Sequence, residues 1–430
     1  MIGRRLQYHS QKAVLLHMDA NVRFKISLHM PSIRSAEKVV PLKMNTLVLN
    51  DVTTCVNDTC YEVGVDRLFP DGSAPKCIND ECNLDYDEFG FPSVSGHDVL
   101  LPGDVSFQME NEKVRYDTEE DEREYRQGLR NNEELLDFLK TLYYLDLLNY
   151  RNSEEVPLHE YRKVARRIEG YKQELLPFDC RRDNSKRQFN CYATLYIHKR
   201  GVSSVKRFEY NKKLFEASKY LNEVFFGGRT MPMRVGELSL GDFAILRLPV
   251  GFQLHVQSLT RHDDLAHKNL PLIVGNLESL DCLKVYTDDL RLDGYKSRIV
   301  RNAKKLIIDG DEDFMDTQVI FRVIRDLQNL EIGIETENST MSKEFHTTTI
   351  ENWLNGDRQD GACLWMETGA EETGQNMADE VLEWIETRYE RSERNERCVT
   401  VPLRNSTMLK VCSVPFKDSS WMLKLNILKF

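Results

Sequence analysis

The stretch DCLKVYTDDLRLDGYKSRIVRNAKKLIIDG, Asp281 to Gly310, decides the fold, because it opens and closes on a short apolar strand. Similar strands recur further along the chain as NLEIGIET, ACLWMETG and CVTVPLRN. These strands begin roughly 20 to 35 residues apart, the spacing of stacked units that contain one strand and one helix each. Helical segments such as TQVIFRVIRDLQ, TIENWLNG and MADEVLEWIETRYE lie between them. We therefore predict an α/β fold in which residues 179–430 form an irregular leucine-rich-repeat-like strand-helix solenoid with a largely parallel sheet.

The same alternation extends upstream to Phe189. FNCYATLYIH and SVKRFEYN read as paired strands, and GELSLGDF and FQLHVQSL as further short strands. KKLFEASKYLNEVFF reads as an amphipathic helix that ends at Gly227-Gly228. A compact doubly wound α/β domain would give the same alternation and is the structural alternative.

In such a solenoid, successive side chains of a strand point to opposite faces of the sheet. The side chains expected in the core are Leu283, Val285, Ile332 and Ile334, and those expected on the other face are Lys284, Tyr286, Glu331 and Glu335. Aromatic and charged groups on an open sheet are groups that anchor protein partners. Tyr286 and Glu331 are therefore the first candidates for binding an unknown protein target, within a surface between about Gly236 and Glu367.

Residues 118–178 have the pattern of a helical hairpin. The first helix begins with Thr118 and Asp121, a capping-box-like pair, and has an acidic first turn. Apolar residues keep helical spacing at Leu135, Phe138, Leu142 and Leu145 in the first helix and at Tyr161, Val164, Ile168 and Leu175 in the second. We expect each helix to bury this stripe on its neighbour, and a partner-binding coiled coil is the alternative.

Two shorter regions precede the hairpin. Residues 46–117 form a β-rich region, in which Asn57-Asp58 is the expected two-residue turn of a β-hairpin and Asp71 to Pro102 is irregular. Residues 1–45 form a short helical segment, whose stretch VLLHMDANVRFKISLHMPSIRSAEKVVP has apolar residues at helical spacing and a proline break. The segment is too short to enclose a core of its own, so we predict that it docks onto another surface.

Composition excludes several classes of protein. The chain has 430 residues, 41% of them hydrophobic, and a formal net charge of −11, which repels the phosphate backbone of nucleic acids. No apolar run is long enough for a signal peptide or a membrane span. We therefore expect a cytoplasmic or nuclear protein that binds neither membrane nor nucleic acid. In those compartments the ten cysteines should mostly be free thiols, and the Asn-x-Thr sequons at Asn57, Asn338 and Asn405 should be surface turns.

The cysteine pairs in CVNDTC and CINDEC are the residues of this sequence that most resemble a zinc site. Four thiolates, Cys55, Cys60, Cys77 and Cys82, could hold zinc tetrahedrally, but each pair is separated by four residues instead of the usual two. If residues 57–58 are a hairpin turn, Cys55 and Cys60 instead face each other across two strands. We therefore predict that these cysteines bind no metal.

Other polar clusters do not complete a catalytic motif. SLTRHDDLAHK brings His262 and His267 close together in sequence without a nucleophile motif, and an exposed loop is the better interpretation. The aspartates of IIDGDEDF, beginning at Asp309, lack the glycine and glutamate of a calcium-binding loop. No glycine-rich phosphate-binding loop is present. We therefore predict a protein that is not an enzyme and has no cofactor.

Several blocks of the sequence occur together in one known family. DANVRFKISLHMPSIRSAEKVVPLKMNTL, YDEFGFP, LLPGDV, FDCRRDN, YNKKLFEASKYLN, FGGR and SSWMLKLNIL resemble, in the same order, a large nematode-expanded family defined by a domain of unknown function. The likeness runs from about Leu6 to the C-terminus. The resemblance implies no activity, because that family is uncharacterised.

The N-terminal segment is also similar to an F-box, a short helical module that docks a Skp-type adaptor of cullin ubiquitin ligases. Its apolar positions would be filled by Leu6, Val14, Leu15, Met18 and Ile26. LQY replaces the usual Leu-Pro start, and the tryptophan common near the end of the module is absent. This resemblance implies a non-catalytic, substrate-recruiting adaptor; the alternative is a stand-alone binding or structural protein without a ligase.

Overall fold

A computed structural model describes most of the chain. The described residues are 8–69, 84–93, 99–107, 117–148, 158–241, 245–261, 269–287, 290, 294–310, 317–336, 341–356, 358–403, 406–416 and 420–429. Of residues 143–148, Leu158, Arg261 and Glu371, the backbone alone is described. The fold of these residues is mixed α/β, with ten helices and one large mixed sheet.

The helices and strands alternate one by one from Cys282 to Arg388, and elsewhere several helices or several strands follow one another. The helices are α1 (Tyr8–Leu16), α2 (Ala20–His29), α3 (Pro31–Val39), α4 (Glu119–Leu148), α5 (Leu158–Arg182), α6 (Leu214–Phe226), α7 (Arg298–Asn302), α8 (Thr317–Asp326), α9 (Lys343–Leu354) and α10 (Glu371–Arg388). The strands are β1 (Lys43–Leu49), β2 (Thr53–Val56), β3 (Thr59–Leu68), β4 (Asp85–Tyr86), β5 (Pro92–Ser93), β6 (Val105–Ser106), β7 (Asn190–Lys199), β8 (Val202–Glu209), β9 (Met233–Leu240), β10 (Ile245–Leu246), β11 (Leu254–Arg261), β12 (Cys282–Tyr286), β13 (Lys305–Asp309), β14 (Glu331–Glu335), β15 (Cys363–Ala370), β16 (Glu393–Asn395), β17 (Cys398–Pro402), β18 (Thr407–Pro415) and β19 (Ser420–Lys429).

Local side-chain chemistry marks the start of several helices. Asp19 Oδ1 accepts a hydrogen bond from the backbone amide of Asn21 at 2.9 Å and caps α2. Ser342 Oγ accepts from the amide of Phe345 at 3.2 Å and caps α9. Pro31, which has no amide hydrogen to leave unpaired, occupies the first turn of α3.

The large sheet has a parallel centre between two antiparallel flanks. Its fifteen strands lie in the order β16-β17-β18-β19-β15-β14-β13-β12-β11-β9-β1-β2-β3-β7-β8. The seven neighbouring strands from β15 to β1 run parallel to one another. Except for β10, which pairs with β6 in a separate sheet, the strands from β9 to β15 lie side by side in chain order. The order does not reverse within that block, whereas a doubly wound sheet reverses at a switch point.

Strand β1 joins the N-terminal part of the chain to this block. It lies parallel to β9, with Leu47 opposite Leu238, and antiparallel to β2, with Leu47 opposite Val56. All three side chains are fully buried. Strands β1 to β3 are therefore part of the same sheet as the strands of the C-terminal half.

The two faces of the sheet differ as the alternation predicted. Leu283, Val285, Ile332 and Ile334 are buried on one face, in one hydrophobic cluster with helix residues such as Ile320 of α8. We call the opposite face of β12–β15 the polar face. It presents Lys284, Tyr286, Lys305, Asp309, Glu331, Glu335 and Trp365.

Helices α4 and α5 form the predicted antiparallel hairpin. Arg126 of α4 pairs with Asp179 of α5 at 2.8 Å, and Glu133 pairs with Lys172 at 3.7 Å. The apolar stripe of α5 is buried as expected at Val164, Ile168 and Leu175, whereas Tyr161 is partly exposed.

The prediction that α4 also buries its stripe on its neighbour is wrong for Leu135, Phe138 and Leu142, which are exposed. The α4 side chains that pack into the hairpin core are instead Tyr125 and Leu129. At 100° per residue the predicted stripe lies roughly a third of a turn away from these two residues, so it points outward. The side chain of Leu145 lies outside the described part.

The predicted Asn57-Asp58 turn is confirmed, since it joins β2 to β3. The cysteines that flank it, Cys55 and Cys60, lie directly opposite each other and form a disulfide bond, as do Cys398 and Cys412 on β17 and β18. The expectation of free thiols is wrong for these four, because the antiparallel register places each pair side by side. Free cysteines in the described residues are Cys180, Cys191, Cys282 and Cys363.

Candidate functional site

The N-terminal helices are attached to the body through one side of α2. The ring of Phe24 stacks on Phe225 of α6 at 4.5 Å between ring centroids and meets Phe226 edge-on at 5.8 Å. The Asn21 side chain donates a hydrogen bond to the Val56 carbonyl at 2.9 Å and accepts one from Tyr61 Oη at 3.0 Å. Because these groups are buried, the inner side of α2 belongs to the main core.

A buried charge cluster joins α2, α3 and the end of α6. The Glu37 carboxylate, which has no exposed surface, pairs with Arg23 at 2.9 Å and with Arg229 at 2.7 Å. Arg23 also donates to the backbone carbonyls of Glu37, Val40 and Pro41, at 3.0, 2.9 and 2.8 Å. These charge-assisted hydrogen bonds from Arg23 of α2 to Glu37 of α3 and to the carbonyls that follow hold the two helices together.

Lys38 extends the cluster toward α6. Its Nζ donates to the carbonyls of Val224 and Phe225, at 2.7 and 3.0 Å. Burial, reinforced by the nearby Arg229 cation, lowers the pKa of Lys38 to about 8. The N-terminal segment is thus fixed to the body by both apolar and charged contacts.

The N-terminal helices also carry a high share of the exposed apolar side chains. Among the described residues this short segment holds seven of the 23 exposed large apolar side chains: Tyr8, Val14, Leu16, Val22, Leu28, Met30 and Val39. On α2, Val22 is 44% and Leu28 48% exposed. We call these seven side chains the N-terminal apolar surface.

The residues predicted from the sequence to bind an adaptor divide between the two sides. Val14 is exposed, Leu15 is buried in a small cluster with Ala36 and Val40, and Met18 and Ile26 are partly buried. Leu6 lies outside the described part. Sequence spacing identified the helices, but it missed Leu16, Val22 and Leu28, because amphipathic spacing in helices this short does not show which side packs on the body.

The polar face carries a charge triad at its centre. Lys284 Nζ pairs with Asp309 at 2.6 Å and with Glu335 at 2.9 Å. Burial lowers the pKa of Lys284, but the two carboxylates outweigh this effect and raise the pKa above the usual lysine value. Glu335 lies on the face predicted from the sequence, but it is buried in this ion pair and is not available on the surface.

Glu331 organises the neighbouring part of the polar face. It accepts a hydrogen bond from Trp365 Nε1 at 2.9 Å and pairs with Lys305 at 2.7 Å. The Lys305 ammonium lies 5.1 Å from the centre of the Trp365 ring. A Cβ atom at Gly333 would lie 2.1 Å from this ring, so glycine is required beneath it.

Tyr286, the other predicted binding residue, is half-buried at the end of β12. It lies on the same face as Lys284 and two strands from Glu331 in the order of the sheet. The structure therefore places the two candidate residues on one surface.

The residues weighed above as metal ligands or catalytic groups form no such site among the described residues. Cys77, Cys82, His262 and His267 lie outside the described part, and within it no three His, Cys, Asp or Glu side chains are arranged to hold a metal ion. Cys55 and Cys60 are bonded to each other. Asp309 is committed to the ion pair with Lys284.

Comparison with known proteins identifies one domain. The family model of a domain of unknown function (DUF3557) matches residues 213–369. This match extends from the residue before α6 into β15, and so includes the block β9–β15 and the polar face. No curated protein matches the chain, and no solved structure does. No helix of the described residues has the length and apolar character needed to cross a membrane.

Proposed function

We propose that this chain is a non-catalytic protein-interaction protein, in which the N-terminal apolar surface docks a Skp-type adaptor of a cullin ubiquitin ligase and the polar face binds a protein target. This role would belong to a cytoplasmic or nuclear member of the nematode-expanded family, in which the disulfides Cys55–Cys60 and Cys398–Cys412 would have to persist in a reducing environment. The observation that carries the proposal is that the N-terminal helices are fixed to the body by buried residues and also carry exposed apolar side chains.

Helix α2 has the two properties that a docking element needs, a fixed position on the body and exposed apolar side chains. The Phe24 contacts and the Glu37 cluster fix the position of the helices, so a partner would meet a preformed surface and lose less entropy in binding. Burial of apolar surface contributes about 25 cal/mol per Å² before the costs of association. Val22 and Leu28 are both exposed and can contribute this energy.

The block β9–β15 supports the target-binding part of the proposal. Apart from β10, its strands follow one another in the sheet with helices packed against one face, as in a leucine-rich-repeat-like solenoid. The other face holds Tyr286 beside fixed charges. Aromatic side chains on a rigid sheet bind partners with little loss of side-chain freedom.

Paired aspartate substitutions test the adaptor site. Val22→Asp with Leu28→Asp should abolish co-purification of a purified Skp-type adaptor, because two carboxylates would be buried at the contact. Leu330→Asp is the matched control, since Leu330 is 47% exposed outside this surface. Adaptor binding that survives the double substitution, or that is absent in the unaltered chain, would refute the docking proposal.

A stand-alone binding protein without a ligase is the second candidate. The observation that favours it is the exposed stripe Leu135, Phe138 and Leu142 on α4. Residues at this spacing on one helix face can pack against a partner helix. A chain that binds a partner protein through this stripe and does not bind the Skp-type adaptor would support this alternative.

A further inference from the structure

The two edges of the large sheet are built differently. One edge is β16, which is only three residues long. Two of these residues, Glu393 and Arg394, have charged side chains. The other edge is β8, which has eight residues, all exposed. Three of them are apolar: Val202 is 71%, Val205 47% and Phe208 54% exposed. Proteins usually protect edge strands by making them short or charged, and β8 is neither short nor uniformly charged.

The turn between β7 and β8 determines which backbone groups of β8 are available. Arg200 and Gly201 both have positive φ angles, 48° and 79°, as in the type I′ turn of a two-residue hairpin. In such a hairpin the flanking residues Lys199 and Val202 form a hydrogen-bonded pair, and hydrogen-bonded and non-bonded pairs alternate from there. The N–H and C=O groups of Ser203, Val205 and Arg207 therefore point away from β7.

We propose that β8 pairs with β8 of a second copy of this chain, antiparallel and in the register that places Val205 opposite Val205 of the other copy. The symmetry is two-fold, so each contact occurs twice except at the axis. Ser203 of each copy then lies opposite Arg207 of the other. All of these residues direct their backbone groups outward, so the pairing joins the two sheets by backbone hydrogen bonds.

The side chains of β8 are self-complementary in this register. Val202 lies opposite Phe208 of the other copy, so all three exposed apolar residues gain an apolar neighbour. Lys206 lies opposite Ser204, and no two charges of like sign face each other. The charge of Arg207 is already paired with Asp66 of its own sheet, at 2.6 Å.

The neighbouring two-fold registers lack this pairing of apolar side chains and this separation of like charges. Pairing centred on Lys206 would place two lysines opposite each other, which is unfavourable. Pairing centred on Ser204 would place Val202 opposite Lys206 and leave Phe208 beyond the paired strand. Apolar pairing and charge separation therefore both select Val205 as the centre.

Measurement of the solution mass of the full chain tests the proposal. The unaltered chain should reach twice the chain mass as its concentration rises through the micromolar range, by sedimentation equilibrium. Val205→Pro removes an outward N–H that β7 does not use, and Val205→Lys opposes two charges at the axis. Each should weaken the dimer at least about tenfold without lowering the melting temperature by more than a few degrees.

Val205→Thr is the matched control, because threonine keeps the β-branched shape and the backbone donor; its dimer should persist. A monomeric unaltered chain, or a dimer that survives both Val205→Pro and Val205→Lys, would overturn the proposal.

Cross-linking tests the register independently. Val205→Cys places two thiols opposite each other at the axis, so a short cross-linker with two thiol-reactive groups should join the copies. In Ser203→Cys the two introduced thiols are four positions apart along the strands, beyond the reach of that reagent. The unaltered chain controls for the native cysteines. Equal cross-linking of the two variants, or cross-linking of Ser203→Cys alone, would contradict the register.

Discussion

Glu37 is a single carboxylate that serves two buried guanidinium groups. Both Arg23 and Arg229 approach one of its oxygens, at 2.9 and 2.7 Å, and Lys38 lies beside them. A buried ion pair is costly to form, but removal of one partner leaves a buried charge without compensation. The arrangement therefore specifies how α3 lies on α2, and it gives the ionisation of Lys38 a measurable effect on folding.

Lys38 should make stability depend on alkaline pH. Its pKa is about 8 in the folded protein and 10.5 for an ordinary lysine, so between these values the unfolded chain binds a proton that the folded protein does not. The free energy of unfolding, measured relative to that of Lys38→Met, should therefore rise from about pH 8 to 10.5. Below pH 8 this relative free energy should not change with pH.

Urea denaturation at a series of pH values measures this difference. Lys25→Met, on the exposed side of α2, controls for the loss of one positive charge. A pH dependence that is the same in Lys38→Met and in the unaltered chain would contradict the prediction.

At the scale of the element, α2 has one side in the core and one side in solvent. Phe24 fills a gap between Phe225 and Phe226, and its side chain is almost completely buried. Val22 lies on the same helix and is 44% exposed. The N-terminal helices are thus part of the main core through the inner side of α2.

Phe24→Ala should lower the free energy of unfolding by about 3–5 kcal/mol, because it removes a buried ring and leaves a cavity against α6. Val22→Ala should change it by no more than about 0.5 kcal/mol. Chemical denaturation of both variants gives the comparison. A small effect of Phe24→Ala would show that the helices contribute little to the core.

The polar face provides a second test at this scale. Tyr286→Ala should reduce binding of a target, once it is identified by purification, by about tenfold or more, with only a small change in melting temperature. Tyr220→Ala, 58% exposed on α6, is the control. Glu331 should be changed to Gln and not to Ala, because Trp365 Nε1 needs its acceptor. Target binding that is unaffected by Tyr286→Ala would place recognition on another surface.

At the scale of the whole molecule, one sheet joins distant parts of the chain. Strand β1, near the N-terminus, lies between β9 and β2, and its Leu47 and Leu49 are buried in the same cluster as Leu283 and Leu364. Separation of β1 from β9 would expose this cluster. The N-terminal and C-terminal parts should therefore lose their structure together.

We predict that unfolding followed by tryptophan fluorescence and by far-ultraviolet circular dichroism gives coincident transitions. The four tryptophans, at positions 353, 365, 384 and 421, report on the C-terminal part, whereas circular dichroism reports on the whole backbone. Residues 179–430 expressed alone would leave β9 without β1 and should be insoluble. Two separated transitions would instead indicate independently folded units.

The sequence by itself determined the local features of this protein. The alternation of Leu283 and Val285 with Lys284 and Tyr286, the turn at Asn57-Asp58 and the position of the helical hairpin follow from spacing and turn chemistry that act within a few residues. The candidate binding residues on the polar face were found in the same way, because strand alternation assigns faces.

Only the tertiary structure decided what covers each face. The pairing of β1 with β9, the outward direction of Leu135 and Phe138 on α4, and the exposure of Val22 on α2 all depend on neighbours that are distant in sequence. The same holds for the pairing of Cys398 with Cys412 and for the edge position of β8. Spacing specifies which side chains share a face, but contacts between distant segments determine whether that face is buried.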